Sequence, residues 1–131
     1  MSVELIVSSM LNTQPIKDIV GNKRFINQVQ TNKTAPFLVY EIVSAIPHPS
    51  TNFLDSKIIQ ARVEVTALDL RIEVVKNILM AVRDAICDKQ DVIFAGKRVL
   101  SSRFASSNLL TNDIETKIWM QGEDYLIVYE Q

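Results

Sequence analysis

The hydrophobic pattern of residues 58–86 changes from a period of two to a period near 3.6 at Asp69, with no loop in between. Before Asp69, apolar and polar residues alternate as in a strand with one buried face. After it, apolar residues recur every three or four positions, as in an amphipathic helix. We therefore predict a strand that leads directly into a helix, with Asp69 as its N-cap, because a carboxylate there accepts from first-turn amides. The positions expected to be buried are Ile59, Ala61, Val63, Val65, Ala67, Ile72, Val75, Leu79, Val82 and Ile86.

Length and composition indicate one folded domain over residues 1–131. Hydrophobic residues make up 47% of the 131 residues and charged residues 22%, which is typical of a globular protein. A net charge of −1 argues against a specific nucleic-acid binder. The single cysteine, Cys87, fits a reducing compartment, and no apolar run is long enough for a membrane span. We expect a soluble cytosolic protein with no membrane contact.

The rest of the chain predicts two helices and several short strands. Ser2 and Pro15 begin helical segments, and Gly21 ends the second one. The other expected features are strands at 23–26 and 37–43, a loop at 28–34, a proline-containing break at 47–52, a hairpin at 92–100, a polar connection at 101–112, and a terminal hairpin at 115–129 that turns around Gly122. This order predicts an α+β fold, in which an antiparallel or mixed β-sheet carries two helices packed on one face and ends in a terminal β-hairpin.

Residues that could carry chemistry do not form a catalytic pattern. His48, the only histidine, lies between two prolines, and Cys87 lies far from any helix N-terminus that could lower its pKa. The spacing of Asp84, Asp88 and Asp91 fits a solvated helix face better than a metal site. We expect no catalytic residue, no cofactor and no metal, and so a protein that is not an enzyme. The alternative is a small ligand-binding or hydrolase domain that uses His48 as a base beside Ser50 or Asp55.

Aromatic residues near the end of the chain admit two interpretations. Trp119, Tyr125 and Tyr129 could form a stacking platform for single-stranded nucleic acid. Such platforms have basic residues beside them, which these three lack. We therefore interpret them as core or interface aromatics.

Four segments, in order along nearly the whole chain, carry a family resemblance. They are residues 19–25 (IVGNKRF), 35–40 (APFLVY), 61–65 (ARVEV) with the helix that follows, and 124–129 (DYLIVY). With them the chain resembles the tail-terminator (tail-completion) proteins, minor tail proteins of long-tailed bacteriophages and prophages. The chain departs from the family at Pro47-His48-Pro49, where a glycine-bearing turn is usual.

The resemblance implies a structural protein of virion assembly. Its small α+β subunits form a homo-oligomeric ring, commonly a hexamer, that caps the tail tube, terminates tail growth and offers a surface for head joining. The implied partners are further copies of the chain, the tail tube protein and a head-completion or connector protein. The implied location is the virion tail, and the bacterial host cytoplasm before assembly. The alternative within this class is a neck or head-tail joining protein.

Four residues are the candidates for a subunit or partner interface. Phe53 and Leu54 are apolar residues in an otherwise polar loop, so they either dock a partner or fold back and become buried. Arg62 and Glu64 belong to the polar face of the strand before Asp69. That face could meet a neighbouring subunit, the lumen of a ring, or water.

Overall fold

The structure, a computed structural model, describes residues 2–27, 35–48 and 58–131. Its helices are α1 (Ser2–Met10), α2 (Gln14–Val20) and α3 (Ile72–Ile86). Its strands are β1 (Arg24–Ile26), β2 (Phe37–Pro47), β3 (Ile58–Asp69), β4 (Val92–Phe94), β5 (Lys97–Ser107), β6 (Thr111–Asn112) and β7 (Trp119–Glu130). The helices pack on one face of a mixed sheet, which confirms the predicted α+β class. The described residues place three helices in that layer, where two were expected.

The sheet has β3 and β7 at its centre. The strand order is β1-β2-β3-β7-β5-β4, and β6 pairs with β7 beyond the end of β5. Only β1 and β2 run parallel, and the other pairs are antiparallel. The β3–β7 ladder is unbroken from the Ile58–Glu130 pair to the Asp69–Trp119 pair. The last strand of the described chain therefore joins the two halves of the sheet.

The core lies between the sheet and the helices. Alternate residues of β3, from Ala61 to Ala67, are fully buried, as the period of two predicts. The buried side chains of α3 are Val75, Ile78, Leu79, Val82, Ala85 and Ile86, which confirms the predicted stripe except for the exposed Ile72 in the first turn. Tyr125 and Tyr129 are also buried, and Trp119 packs against this core. The interpretation of these aromatics as core residues is confirmed.

Asp69 is not the helix N-cap. It is the last residue of β3, held in extended conformation by its pairing with Trp119, and α3 begins only at Ile72. The N-cap position is Arg71, and no side-chain cap bond is made there. Instead, one carboxylate oxygen of the buried Asp69 accepts a hydrogen bond from the Arg71 amide at 3.0 Å. Asp69 thus closes a tight link of two residues between strand and helix.

Pro47 belongs to a strand, although a break was expected there. β2 continues four residues beyond the predicted end at Val43, and Pro47 pairs with Ile59. A proline is tolerated at this position because it is the last residue of the strand, and no described strand pairs with the other side of β2 there. The His48 amide then donates to the Ile58 carbonyl at 2.9 Å. The expected loop at 28–34 and the rest of the predicted break, residues 49–52, lie outside the described residues.

The hairpin predicted at residues 92–100 is confirmed. β4 and β5 pair with each other and are connected by Ala95 and Gly96, both with positive φ, of 52° and 77°. Two successive residues of this kind match the twist of a tight β-hairpin. Glycine is favoured at the second position because its φ is larger than residues with a side chain normally adopt.

The C-terminal third differs from prediction in two places. Residues 101–107 belong to β5 and residues 111–112 form β6, where a polar connection was expected. The terminal hairpin around Gly122 is wrong, because residues 119–130 form one strand that passes straight through Gly122. A Cβ at Gly122 would lie 3.0 Å from the side-chain nitrogen (Nδ2) of Asn108 and 3.1 Å from the hydroxyl oxygen of Thr66. This glycine is therefore needed for close packing on the sheet surface, and a turn is not the reason.

Candidate assembly interface

Arg62 and Glu64 lie on the face of the sheet that carries no helix. Both are half-buried, as are their β7 neighbours Leu126 and Asp124. The Arg62 Nε donates to an Asp124 carboxylate oxygen at 3.2 Å, with the two side chains 35% and 15% exposed. Arg62 is thus partnered within its own chain. The alternation of β3 put these residues on the polar face as predicted, and their role at an interface stays a prediction.

Three carboxylates lie side by side across this face. Glu41 of β2 is directly opposite Glu64 of β3, and Glu64 is directly opposite Asp124 of β7. Burial, reinforced by the charges of Asp124 and then Glu41, raises the pKa of Glu64. Asn108 opposes this effect by donating its side-chain amide to Glu64 at 2.7 Å. Directly opposed like charges weaken a sheet, so this acidic row is retained at a cost in stability.

The next row along the strands carries the opposite charge. Arg62 and Arg103 flank Leu126, with Arg62 on β3 and Arg103 on β5. The helix-free face therefore places one acidic row beside one basic row. Such a surface favours a partner with complementary charges over an apolar one.

The outer side of β2 is largely uncovered. β1 pairs only with Leu38–Tyr40, and the Asn27 amide adds one bond to the Tyr40 carbonyl. From Glu41 to Pro47 no strand in the described ranges pairs with this outer side. Val43 and Ile46 are each 51% exposed there. Sequence reasoning missed this edge, although the charge-free run from 42 to 46 was its available signal.

The opposite edge of the sheet is also uncovered over part of its length. β4 pairs only with Lys97–Val99 of β5, and the Asp88 amide bonds to the Ser102 carbonyl. Beyond that point, residues 105–112, in the end of β5 and in β6, run along β7. No described strand pairs with their outer side. Leu109 in this segment is 88% exposed. The sequence had indicated only a polar connection here.

Phe53 and Leu54, the other two interface candidates, lie outside the described residues. Their proposed role in docking a partner stays a prediction. Other large apolar side chains that the structure exposes include Ile114 in the segment between β6 and β7, Leu70 beside the end of β3, Met80 on α3 and Leu5 on α1.

The residues considered for catalysis follow different elements. His48 follows the end of β2, while Cys87 lies at the end of α3 beside an open cavity of about 500 Å³. Burial, followed by the charge of Asp88, raises the pKa of the Cys87 thiol. A raised pKa suppresses the thiolate that nucleophilic chemistry needs. Asp91, one of the aspartates near the end of α3, is paired with Arg98.

Across the described residues, no group of three or more histidine, cysteine, aspartate or glutamate side chains is arranged to hold a metal ion. Of the helices in the described ranges, none is both long and apolar enough to cross a membrane. The clearest features of the surface are thus a charge-patterned sheet face and two uncovered strand edges.

Comparison with known proteins gives a match in structure only. No protein-family model matches the chain, and no curated protein sequence matches it either. Among solved structures, the chain is similar to one in "Virion of native gene transfer agent (GTA) particle", with a TM-score of 0.72. The likeness covers 98% of this chain and 97% of the other, at 8% sequence identity. The two chains therefore share a fold over their whole length.

Proposed function

We propose that this chain is a structural subunit of a phage-like virion, and specifically a tail terminator whose ring caps the tail tube. The single observation that carries the proposal is the whole-length likeness to a chain of a gene transfer agent virion. The ordered resemblance of four sequence segments to tail terminators supports the same reading independently. The role is assembly, with no chemical step.

The surface of the chain is consistent with such a role. In a ring subunit the functional parts are the contacts to neighbouring copies and to the stacked tube. Within its described residues the chain has uncovered edges on both sides of its sheet and a face with an acidic row beside a basic row. These are features through which a small domain joins further proteins.

The test is capping of tail tubes. The purified chain is added to tail tube protein during polymerisation, and tube length is measured by electron microscopy. Native mass spectrometry of the chain alone measures its oligomeric state. A tail terminator gives shorter tubes with added density at one end. Tubes of unchanged length and bare ends would contradict the proposal.

A neck or head-tail joining protein is the alternative from the same class, and the same virion likeness is compatible with it. Pull-down with purified portal or connector protein separates the two. Binding to these head-side components without any effect on tube length would favour the joining role.

A further inference from the structure

We propose that copies of this chain join by adding strands edge to edge. The outer edge of β2, residues 41–47, pairs antiparallel with the outer edge formed by residues 105–112 of the next copy. The inference rests on the proposed ring and specifies the contact that builds it. The partner is a second copy of this chain, because one chain supplies both halves of the contact.

The two edges match in length and direction. In the described ranges, the part of β2 without an outer partner has seven residues, and that of the opposite edge has eight, of which residues 108–110 connect β5 to β6. β2 runs parallel to β7, while β5 and β6 run antiparallel to it, so neighbouring copies in the same orientation bring antiparallel strands together. Each edge offers unpaired backbone amides and carbonyls to the other.

Each edge has a stretch without charge or proline, two of the features that protect natural sheets against strand pairing. Natural sheets guard their edges with charges, prolines or very short strands. Residues 42–46 (IVSAI) and 104–112 (FASSNLLTN) contain no charge and no proline. By contrast, the outermost strands β1 and β4 are three residues long. Among the described strands, the two stretches that this pairing would cover are guarded less: Glu41 and Pro47 stand at the ends of one, and each has one register shift.

The two edges are offset along the strands in the way that a closed sheet requires. The register of the sheet relates each edge to positions of β7. Residues 41–47 correspond, through β3, to Asp124–Tyr129, and residues 106–112 pair with Trp119–Asp124. The offset is five positions on β7, or about 17 Å at ~3.4 Å per residue. Pairing therefore shifts each copy by that distance relative to its neighbour.

The offset agrees with the tilt of strands in closed sheets. Each copy adds four full columns, formed by β2, β3, β7 and the β5–β6 strand, which span about 19 Å at ~4.8 Å per strand. A shift of about 17 Å over about 19 Å corresponds to a tilt of roughly 40°, within the ~35–45° typical of closed sheets. β1 and β4 lie at opposite ends of the strands, so each continues the column of a neighbour's strand without blocking it.

The experiment blocks one edge at a time with lysines. The first variant carries Val43→Lys and Ile46→Lys, and the second carries Ser107→Lys and Leu109→Lys; all four side chains are exposed. The control carries Leu5→Lys and Met80→Lys on exposed helix positions, 60% and 66% exposed. Circular dichroism checks that each variant is folded. Native mass spectrometry then measures the wild type, each variant, and an equimolar mixture of the two edge variants.

We expect the wild type and the control to form rings, and each edge variant alone to be monomeric. The mixture should give a one-to-one dimer and nothing larger, because one intact edge of each type remains. Since an unfolded variant cannot complete this dimer, the mixture also separates blocked edges from failed folding.

Each other result contradicts the inference in a distinct way. If both edge variants still formed rings, the proposed ring would stand, but the pairing of the two edges would be wrong. Dimers from the second variant alone would show that β2 pairs with itself about a twofold axis. If the control failed to assemble, the added positive charge, and not the blocked edges, would explain the loss of rings. A wild type that stays monomeric at its highest soluble concentration, and also on tail tubes, would overturn the ring itself.

Discussion

Arg83 in α3 donates a hydrogen bond to the carboxylate of Glu123 in β7 at a distance of 2.5 Å. Glu123 is buried and also accepts from the Tyr125 hydroxyl at 3.0 Å. The Arg83 guanidinium lies 4.4 Å from the centre of the Phe104 ring. This cluster fastens the long helix to the sheet and supplies a buried carboxylate with two partners.

We predict that Arg83→Met lowers the free energy of unfolding by about 2 kcal/mol, because it leaves the buried Glu123 with one partner fewer. Urea denaturation at neutral pH measures the change. The double variant Arg83→Met with Glu123→Gln should cost less than the sum of the two single changes, because the charge that loses its partner is gone. Strictly additive costs would show that the pair is not coupled.

Glu64 gives a stability change that depends on pH. Burial, with the charges of Asp124 and Glu41, raises its pKa, so the folded state holds the proton more tightly than the unfolded state does. The stability from this proton is full below the unfolded pKa and is lost as pH rises through the folded pKa. Glu64→Gln should therefore stabilise the protein by about 0.5 kcal/mol at pH 7.

Below the unfolded pKa of Glu64 this gain should disappear. Thermal melts of wild type and Glu64→Gln at pH 7 and pH 4 test the prediction, with an exposed carboxylate change, Glu73→Gln, as the control. A gain for Glu64→Gln that is the same at both pH values would contradict the role of like-charge repulsion.

Gly122 is predicted to be required for space. Gly122→Ala places a methyl group against Asn108 and Thr66 and should cost about 1 kcal/mol or more through overpacking. In the Asn108→Ala background the same change should cost less, because the closest atom has been removed. Thermal melts of the two single variants and the double variant measure the difference. Equal costs in both backgrounds would mean that crowding against Asn108 does not select this glycine.

Substitutions in the core and on the polar face of β3 should differ strongly in their cost. Val63→Asp and Leu79→Asp each bury an unpaired charge in the core and should prevent soluble folding. Arg62→Ala removes one partly exposed ion pair with Asp124 and should cost only about 1 kcal/mol. Soluble expression and urea denaturation compare them. A stable Val63→Asp beside an unfolded Arg62→Ala would reverse the assignment of the two faces.

The elements predicted well are those whose pattern reflects local burial. The alternation from Ala61 to Ala67 and the spacing from Val75 to Ile86 follow from one buried face each, so the strand, the helix and much of the core could be derived. Gly122 was misread because sequence cannot distinguish a glycine needed for a turn from one needed for close packing. Residues 101–107 were misread because their pairing with β7 is not visible in a polar run.

The candidate interface was less predictable because its geometry depends on distant pairing. Arg62 and Glu64 could be assigned to the polar face from alternation alone. Their partners could not, because Asp124 is 62 residues from Arg62 and Asn108 is 44 residues from Glu64. The two uncovered edges depend on the strand order, which local patterns do not determine.

The position of β7 also has a consequence for synthesis. Residues 119–130 leave the ribosome after every other described strand, yet they separate β3 from β5 at the middle of the sheet. A nascent chain that lacks them has two disconnected strand groups, one ending in β3 and one in β5. Products that end before β7 therefore lack the strand that joins β3 to β5, and their remaining described strands cannot form one continuous sheet.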